Sequence, residues 1–231
     1  PEIREIIDFR IILLHDLGNV LAQKALSLLQ GEEKKKVLGK ISRITLQLAH
    51  IPVENTAAVL DTARMKWEMD FFVTHFAGNY FHPQTDLEEL RQILHGMVEH
   101  IGPINTFAHR DFHTRNMLYY QNDIYLVDFQ DSLRAPAFYD AVSFVFDAYL
   151  DLKTLRTFFI DSLKSGGLMI DEEQFYLTAL QRNIKALGTF GYQVMVKKNL
   201  AYKKYINRTV GYVLKNPLFD SYFEKSTFQI K

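Results

Sequence analysis

The sequence predicts an α+β fold in which a mostly helical lobe carries one small β-hairpin. From residue 20 onward, apolar residues recur mainly at spacings of three and four, which is typical of amphipathic helices. The triplet Gln121-Asn122-Asp123 separates two short apolar runs, 117–120 and 124–127, and this arrangement predicts the hairpin. Near the start of the chain, FRIILL at 9–14 is bulky and partly β-branched, which predicts a buried strand.

The boundaries of the predicted helices follow from glycine and capping signals. Gly31 divides the first helical region into two pieces, and Gly78-Asn79 is a plausible end for a later helix. Thr85-Asp86-Leu87-Glu88 resembles a capping box, which marks a helix start. No strand is expected before residue 9, and a short extended stretch is expected at Phe107-Ala108. The predicted helical regions are 20–50, 59–77, 86–100, 138–150, 152–165, 172–190 and 195–214.

Composition narrows the classes of partner. The 231 residues carry no net charge and no long basic run, so a nucleic-acid footprint is absent. No apolar stretch approaches 18 residues, and the acidic first 20 residues do not resemble a signal peptide, so neither a membrane span nor secretion is expected. The chain has no cysteine, which excludes disulfides and thiolate metal sites. These features favour a cytoplasmic protein that acts on small molecules.

One motif, HRDFHTRNMLYYQNDIYLVDF at 109–129, combines the groups that phosphoryl transfer requires. Asp111 can accept the proton of an attacking hydroxyl group. Asn116 and Asp128 offer oxygen ligands of the kind that Mg²⁺ prefers when phosphates and water complete its shell. The predicted hairpin explains how the two ligands meet, since one stands at its entrance and the other at its exit. The motif therefore predicts a kinase that uses ATP and Mg²⁺ to phosphorylate a small molecule.

Several segments resemble the aminoglycoside phosphotransferase and choline kinase family, which has a protein-kinase-like fold. HRDFHTRNML is similar to the family's catalytic loop, and LVDFQDS to its metal-binding segment. ILLHDLGN resembles the last small-lobe strand and the hinge, and APAFYDAVSFVFD the helix that follows the metal-binding segment. QRNIKALG at 181–188 further resembles bacterial sugar kinases that phosphorylate N-acetylmuramate and N-acetylglucosamine at the C1 hydroxyl.

The resemblance implies a role for particular residues. Asp111 would be the catalytic base, with Asn116 and Asp128 as the magnesium ligands. The hinge residues His15, Asp16 and Leu17 would lie where the backbone binds adenine. The resemblance also implies that Asp140 braces the catalytic loop from below.

Three further residues are candidate substrate contacts, namely Arg115, Gln130 and Asn183. Arg115 could instead pair with an acid such as Asp131, and helix periodicity alone would place Asn183, with Arg182 and Lys185, on the surface. The aromatic series Trp67, Phe71, Phe72 and Phe76 reads as core packing, although one ring could stack on a sugar.

The resemblance also divides the chain. Residues 1–18 would form the last strand of the small lobe and the hinge, and residues 19–231 the C-terminal catalytic lobe. A glycine-rich loop and a strand lysine belong to a complete kinase, and neither precedes Gly18. We therefore expect most of the N-terminal lobe to be absent, and the 231-residue chain by itself to bind ATP weakly without appreciable kinase activity.

Two alternatives remain open on the sequence. The acceptor could be an aminoglycoside, choline or a homoserine-like alcohol rather than an amino sugar. Choline binding would need an aromatic cage for the quaternary cation, and an aminoglycoside site would need a cluster of acids. The chain could also be a non-catalytic, kinase-like scaffold, although the presence of Asp111, Asn116 and Asp128 together argues against that.

Overall fold

Two helices begin the helical body, as the sequence predicts, and the second of them starts at Gly31. The computed structural model describes residues 2–8, 10–54, 56, 58–82, 84–224 and 228. The helical conformation is interrupted between α1 and α2. Gly31 begins α2 with a φ of 49°, which lies in the left-handed region that glycine adopts without steric cost. The first five helices are α1 (Ala22–Leu28), α2 (Gly31–Ala49), α3 (Thr62–Phe72), α4 (Gly78–Tyr80) and α5 (Leu87–Glu99).

Local capping explains where α3 and α5 begin. The Asp61 carboxylate accepts a hydrogen bond from Arg64 N, and the Asp86 carboxylate accepts from Glu88 N and Glu89 N. The predicted stop at Gly78-Asn79 is slightly early, because a π-helical turn over Val73–Ala77 leads from α3 directly into α4.

The N-terminal strand differs from its prediction in two respects. Strand β2 (Ile11–Leu14) pairs antiparallel with β1 (Ile3–Ile7), so a strand does precede residue 9. Every residue of both strands is exposed, and the expected burial is therefore wrong. A short apolar run indicates a strand but not what covers it, since burial depends on packing partners elsewhere in the structure. Phe9, the first residue of the predicted strand, lies outside the described residues.

The predicted hairpin is present, and a second strand pair accompanies it. Gln121 and Asn122 have φ values of 48° and 62°, as a two-residue type I′ turn requires. Only one strand of the second pair was predicted. Its first strand includes the expected extended stretch at Phe107-Ala108, whereas the second strand, LRAP at 133–136, lacks a strand-like sequence pattern. The hairpin strands are β4 (Met117–Tyr120) and β5 (Asp123–Leu126), and the second pair joins β3 (Ile104–Ala108) to β6 (Leu133–Pro136).

The C-terminal helices complete the body, with boundaries that differ from the predicted ones by up to eight residues at one end. None of the helices in the described part of the chain is long and apolar enough to cross a membrane. The helices are α6 (Tyr139–Val145), α7 (Arg156–Ser165), α8 (Glu172–Met195), α9 (Lys203–Leu214) and α10 (Phe219–Tyr222).

Helix α8 packs closely against α3 and the π-helical turn that follows it, and this contact positions residues of the candidate active site. A Cβ atom added at Gly188 would lie 2.8 Å from Phe72 Cα, and one added at Gly191 would lie 2.3 Å from His75 O. The two backbones therefore touch where α8 carries glycine instead of a side chain. This packing holds Lys185 and Thr189 of α8 beside the exposed side of α3.

Candidate active site

The catalytic loop after β3 is held from beneath by one buried carboxylate. Asp140, in the first turn of α6, accepts hydrogen bonds from His109 N at 2.7 Å and from Arg110 N at 3.1 Å. Burial raises the pKa of Asp140 to about 7, and the two N–H donors oppose that rise. Arg110 has a φ of 74°, a strained backbone conformation that these bonds help to maintain. The predicted bracing role of Asp140 is confirmed.

The base of the hairpin brings the two predicted metal ligands together. Val127 N donates to Asn116 O at 3.0 Å, and His109 Nε2 donates to Val127 O at 3.0 Å. As a result, Asn116 Nδ2 lies 3.4 Å from Asp128 Oδ2. Asp128 has a φ of 68°, so the chain turns sharply at this carboxylate. The expectation that the hairpin places these side chains next to each other is confirmed.

The donor atoms at this point suit a magnesium ion that is bound mainly through phosphates. Asn116 donates its amide hydrogens to Asp111 O at 3.1 Å, which leaves Oδ1 as the atom that can bind a cation. Asp128 accepts a hydrogen bond from Gln130 Nε2 at 2.7 Å, so Gln130 lies against the carboxylate predicted to bind the metal. Among the described residues, no group of three or more His, Asp or Glu side chains could hold a metal ion. One amide and one carboxylate match a Mg–nucleotide site rather than an all-protein cage.

Asp111 lies in a strongly cationic environment. Lys185 Nζ is 3.7 Å from Asp111 Oδ1, and the Asp111 side chain is 31% exposed. Partial burial would raise the pKa of Asp111, but the nearby charges of Lys185 and Arg182, with smaller contributions from His113 and Arg110, lower it below its ordinary value. The carboxylate is therefore ionised at neutral pH and able to accept a proton.

Two residues of α8 that periodicity would place on the surface instead line a pocket at Asp111. Arg182 is 7% exposed and its Nε donates to Ser143 Oγ at 2.7 Å. Burial lowers the pKa of Lys185. Asn183 is also buried, but its side chain is not part of the pocket lining, and its amide atoms have no hydrogen-bond partner among the described residues. The open pocket is lined by Asp111, His113, Ala148, Tyr149, Arg182, Lys185, Ala186, Thr189 and Phe190.

The surroundings of Arg115 and Asp131 correct one of the sequence-based alternatives. Arg115 is exposed and its guanidinium lies 4.9 Å from the centre of the Tyr149 ring. Asp131 pairs with Arg110, whose Nη1 is 3.8 Å from Asp131 Oδ2. The alternative in which Arg115 pairs with Asp131 is therefore not what the structure shows. His113 packs edge-on against Tyr149 at 4.8 Å, and burial together with Arg182 lowers its pKa to about 3, so that its ring is neutral.

A buried ion pair that the sequence analysis missed joins α3 to the catalytic loop. Glu68 is 2% exposed, and its Oε1 accepts from Arg110 Nη2 at 3.1 Å. Its Oε2 accepts from Gln181 Nε2 at 2.8 Å. The signal available in the sequence was an acid inside an apolar helix, since a buried acid requires partners.

The neighbouring aromatic residues divide into two groups. Phe72 and Phe76 are fully buried, as predicted, and Phe71 is partly buried. Trp67 is 61% exposed, so its assignment to the core is wrong.

The three predicted hinge residues differ in exposure. Leu17 is 3% exposed, whereas the Asp16 carboxylate accepts from Gly18 N at 2.8 Å in a local turn. The His15 ring contacts the Tyr120 ring edge-on, with 5.8 Å between the ring centres. A hydrogen bond from Tyr119 N to Val20 O, at 2.7 Å, ties the chain just after this segment to the hairpin that is flanked by Asn116 and Asp128.

Two solved phosphotransferase structures have a similar fold. A choline/ethanolamine kinase family protein from Mesorhizobium loti superposes with a TM-score of 0.65 at 10% identity, covering 96% of this chain and 76% of that one. The ADP-bound aminoglycoside phosphotransferase APH(2'')-Ib gives a TM-score of 0.58 at 13% identity, covering 90% and 72%. The chain therefore has the fold that these kinases share.

The sequence places the chain in a family. Residues 14–171 match the model of the phosphotransferase enzyme family (APH), and the chain belongs to that family. It is also similar to the N-acetylmuramate/N-acetylglucosamine kinase of Neisseria meningitidis serogroup B, with 26% identity over 201 residues. That match covers 79% of this chain and 60% of the relative, so the chain spans less than two thirds of the relative's length.

Proposed function

We propose that the protein is an ATP- and Mg²⁺-dependent kinase that phosphorylates a sugar hydroxyl, specifically the C1 hydroxyl of an amino sugar. The observation that carries this proposal is the ionised Asp111 carboxylate at a pocket, beside the Asn116–Asp128 pair. The similarity to an N-acetylmuramate/N-acetylglucosamine kinase supports the choice of acceptor.

In the proposed reaction, Asp111 orients the acceptor hydroxyl and takes its proton. The hydroxyl oxygen forms a bond to the γ-phosphorus of ATP while the bond to the β,γ-bridging oxygen breaks, and ADP leaves with that electron pair. Asn116 Oδ1 and the Asp128 carboxylate would hold the magnesium ion, which neutralises charge on the phosphates when it is bound. Gln130 would steady Asp128 through their 2.7 Å hydrogen bond.

The remaining elements have supporting roles in this proposal. Residues 19–231 would form the catalytic lobe, and residues 1–18 the adjoining strand structure and hinge. The backbone at His15, Asp16 and Leu17 would bind adenine. Arg115, exposed beside Tyr149, would reach the transferred phosphoryl group or a sugar oxygen. Asn183 is buried outside the pocket lining, so we place Lys185 rather than Asn183 against the acceptor.

A kinase assay on the protein that contains this chain tests the proposal. Mg-ATP is offered with N-acetylglucosamine, N-acetylmuramate, choline and kanamycin, and the phosphorylated carbon is located by NMR. We expect amino-sugar 1-phosphate, lost in Asp111→Asn while nucleotide binding persists. Turnover of choline or kanamycin instead would replace the acceptor and keep the mechanism. No turnover and no ATP binding would support a non-catalytic scaffold.

A further inference from the structure

The single tryptophan of the chain is exposed next to the proposed catalytic base. Trp67 is 61% exposed on α3, whereas Met65, Met69 and Phe72 of the same helix are fully buried. Trp67 therefore lies off the face of α3 that packs into the core. A large aromatic side chain left in water forgoes the free energy that its burial would provide, and such exposure next to a cleft is typical of a ligand contact.

Trp67 lines a cleft that reaches Asp111. An open pocket has Trp67 and Phe71 among its walls. It shares Asp111, Lys185 and Thr189 with the pocket described above, so the two are parts of one cleft around the carboxylate. The remaining lining residues of this second part are Glu68, Arg110 and Asp131.

The helix segment that carries the indole is tied to the loop that carries Asp111. Glu68, the next residue in the chain, is clamped by Arg110 at 3.1 Å and by Gln181 at 2.8 Å. Arg110 immediately precedes Asp111, just as Trp67 immediately precedes Glu68. The Glu68–Arg110 ion pair therefore connects the neighbour of the indole to the neighbour of the proposed base. Phe71 supports the indole at 5.6 Å between ring centres and packs in turn on Tyr192 at 5.4 Å.

The chemistry of the walls indicates what the cleft accepts. A lining that combines aromatic and polar side chains matches the ring of a pyranose sugar, which has an apolar C–H face and hydroxyl groups at its edge. Lys185, Arg110 and Thr189 can donate hydrogen bonds to those hydroxyls, and Asp131 can accept them. A quaternary ammonium ion would also suit an aromatic face, and the acids Glu68, Asp111 and Asp131 pair with the cations Arg110 and Lys185 in the same cleft, so choline is the competing ligand in the test.

We propose that Trp67, supported by Phe71, is the stacking platform of the acceptor subsite and binds the face of a pyranose ring whose reacting hydroxyl lies at Asp111. The inference rests on the proposed sugar kinase function and adds a residue that determines acceptor affinity. Trp67 acts by binding the acceptor, whereas Asp111 acts on the transferred proton, so the two have separable kinetic effects.

Trp67 is the only tryptophan among these 231 residues, and subtracting the emission of the matching Trp67→Phe variant isolates its signal at this subsite. N-acetylglucosamine, N-acetylmuramate and choline chloride are titrated separately into the Asp111→Asn variant, which cannot turn over. We expect a saturable change in tryptophan emission with an amino sugar and none with choline. A saturable response to choline alone would overturn the proposed sugar platform.

Steady-state kinetics of Trp67→Ala provide the second measurement. We expect KM for the amino sugar to rise about tenfold or more, since an aromatic contact and its buried area are lost, while KM for ATP stays constant. Trp67→Phe should recover part of the affinity. Met169→Ala serves as the control, because Met169 is 90% exposed and lines neither part of the cleft.

The outcomes separate this inference from the proposed function. If the amino sugar is phosphorylated normally by Trp67→Ala with unchanged KM, the platform is wrong and the kinase activity stands. If the wild-type protein phosphorylates no sugar and its emission does not respond to one, both proposals fail together.

Discussion

Asn116 and Asp128 lie twelve positions apart in the sequence, yet Asn116 Nδ2 is only 3.4 Å from Asp128 Oδ2. The hairpin between them accounts for this proximity, because the hydrogen bond from Val127 N to Asn116 O closes its base. The same Asn116 amide donates to the backbone carbonyl of Asp111 at 3.1 Å. The proposed metal ligands and the proposed base thus form one hydrogen-bonded unit, in which a change at one group affects the geometry of the others.

Asp128→Asn is expected to weaken binding of the Mg–nucleotide and to lower kcat/KM by more than about 100-fold. Loss of a residue that only supports a metal ligand already lowers metal affinity or activity by about 10- to 100-fold. Calorimetric titration with Mg-ADP measures the binding, and the kinase assay measures kcat/KM.

Asp123→Asn is the matched control for that variant. Asp123 begins the second strand of the same hairpin, where its carboxylate lies 3.4 Å from Lys40 Nζ and is 54% exposed. Its loss should leave nucleotide affinity unchanged. Equal losses in the two variants would mean that hairpin stability, and not metal binding, explains the effect of Asp128→Asn.

The contrast between the hairpin and α3 explains how far the sequence predicts the site. Asn116 and Asp128 flank a local turn with its own residue signature, so their meeting could be inferred from spacing alone. Glu68 and Arg110 are 42 residues apart, and their ion pair depends on how α3 packs against the catalytic loop. Periodicity reports which residues repeat at helical spacing, but not which side of the helix finds a packing partner. For this reason the exposure of Trp67 and the burial of Arg182 were both missed.

Lys185→Met is expected to move the acidic limb of the kcat/KM profile to higher pH. In the folded protein, partial burial raises the pKa of Asp111 but the cation of Lys185 and its neighbours lower it overall. Without that charge the carboxylate binds its proton more readily and becomes inactive at a higher pH than in the wild type. Lys185→Arg keeps the charge and should keep the limb in place. An unshifted limb in Lys185→Met would show that Lys185 does not govern the ionisation of Asp111.

His113 is expected to make the folded protein less stable in acid. Its pKa is about 3 in the folded state against an ordinary 6.5, because burial and Arg182 disfavour the charged ring. As pH falls from 6.5 towards 3, the unfolded chain takes up a proton that the folded chain does not. The free energy of unfolding should therefore fall by up to about 1.4 kcal/mol for each pH unit in that window.

Urea unfolding at several pH values measures this dependence in the wild type and in His113→Asn. The variant lacks the titrating ring, so its stability should decline less steeply between pH 6.5 and 4. Parallel curves for the two proteins would rule out His113 as the source of the acid sensitivity.

Gly191→Ala is expected to destabilise the fold, whereas Gly96→Ala should stabilise it slightly. Both glycines lie within helices, where alanine is intrinsically favoured by up to about 1 kcal/mol. At Gly96 an added Cβ meets nothing within 4 Å, so the helical preference should appear alone. At Gly191 the Cβ would lie 2.3 Å from His75 O, a backbone atom that can move only if α8 separates from the π-helical turn after α3. We expect a loss of about 1–3 kcal/mol, as for other overpacked contacts, measured by chemical unfolding of both variants. Trp67 is on α3 and Lys185 is on α8, so Gly191→Ala should also raise KM for the acceptor. If Gly191→Ala were as stable as Gly96→Ala, that result would contradict the close packing of α8 against the π-helical turn.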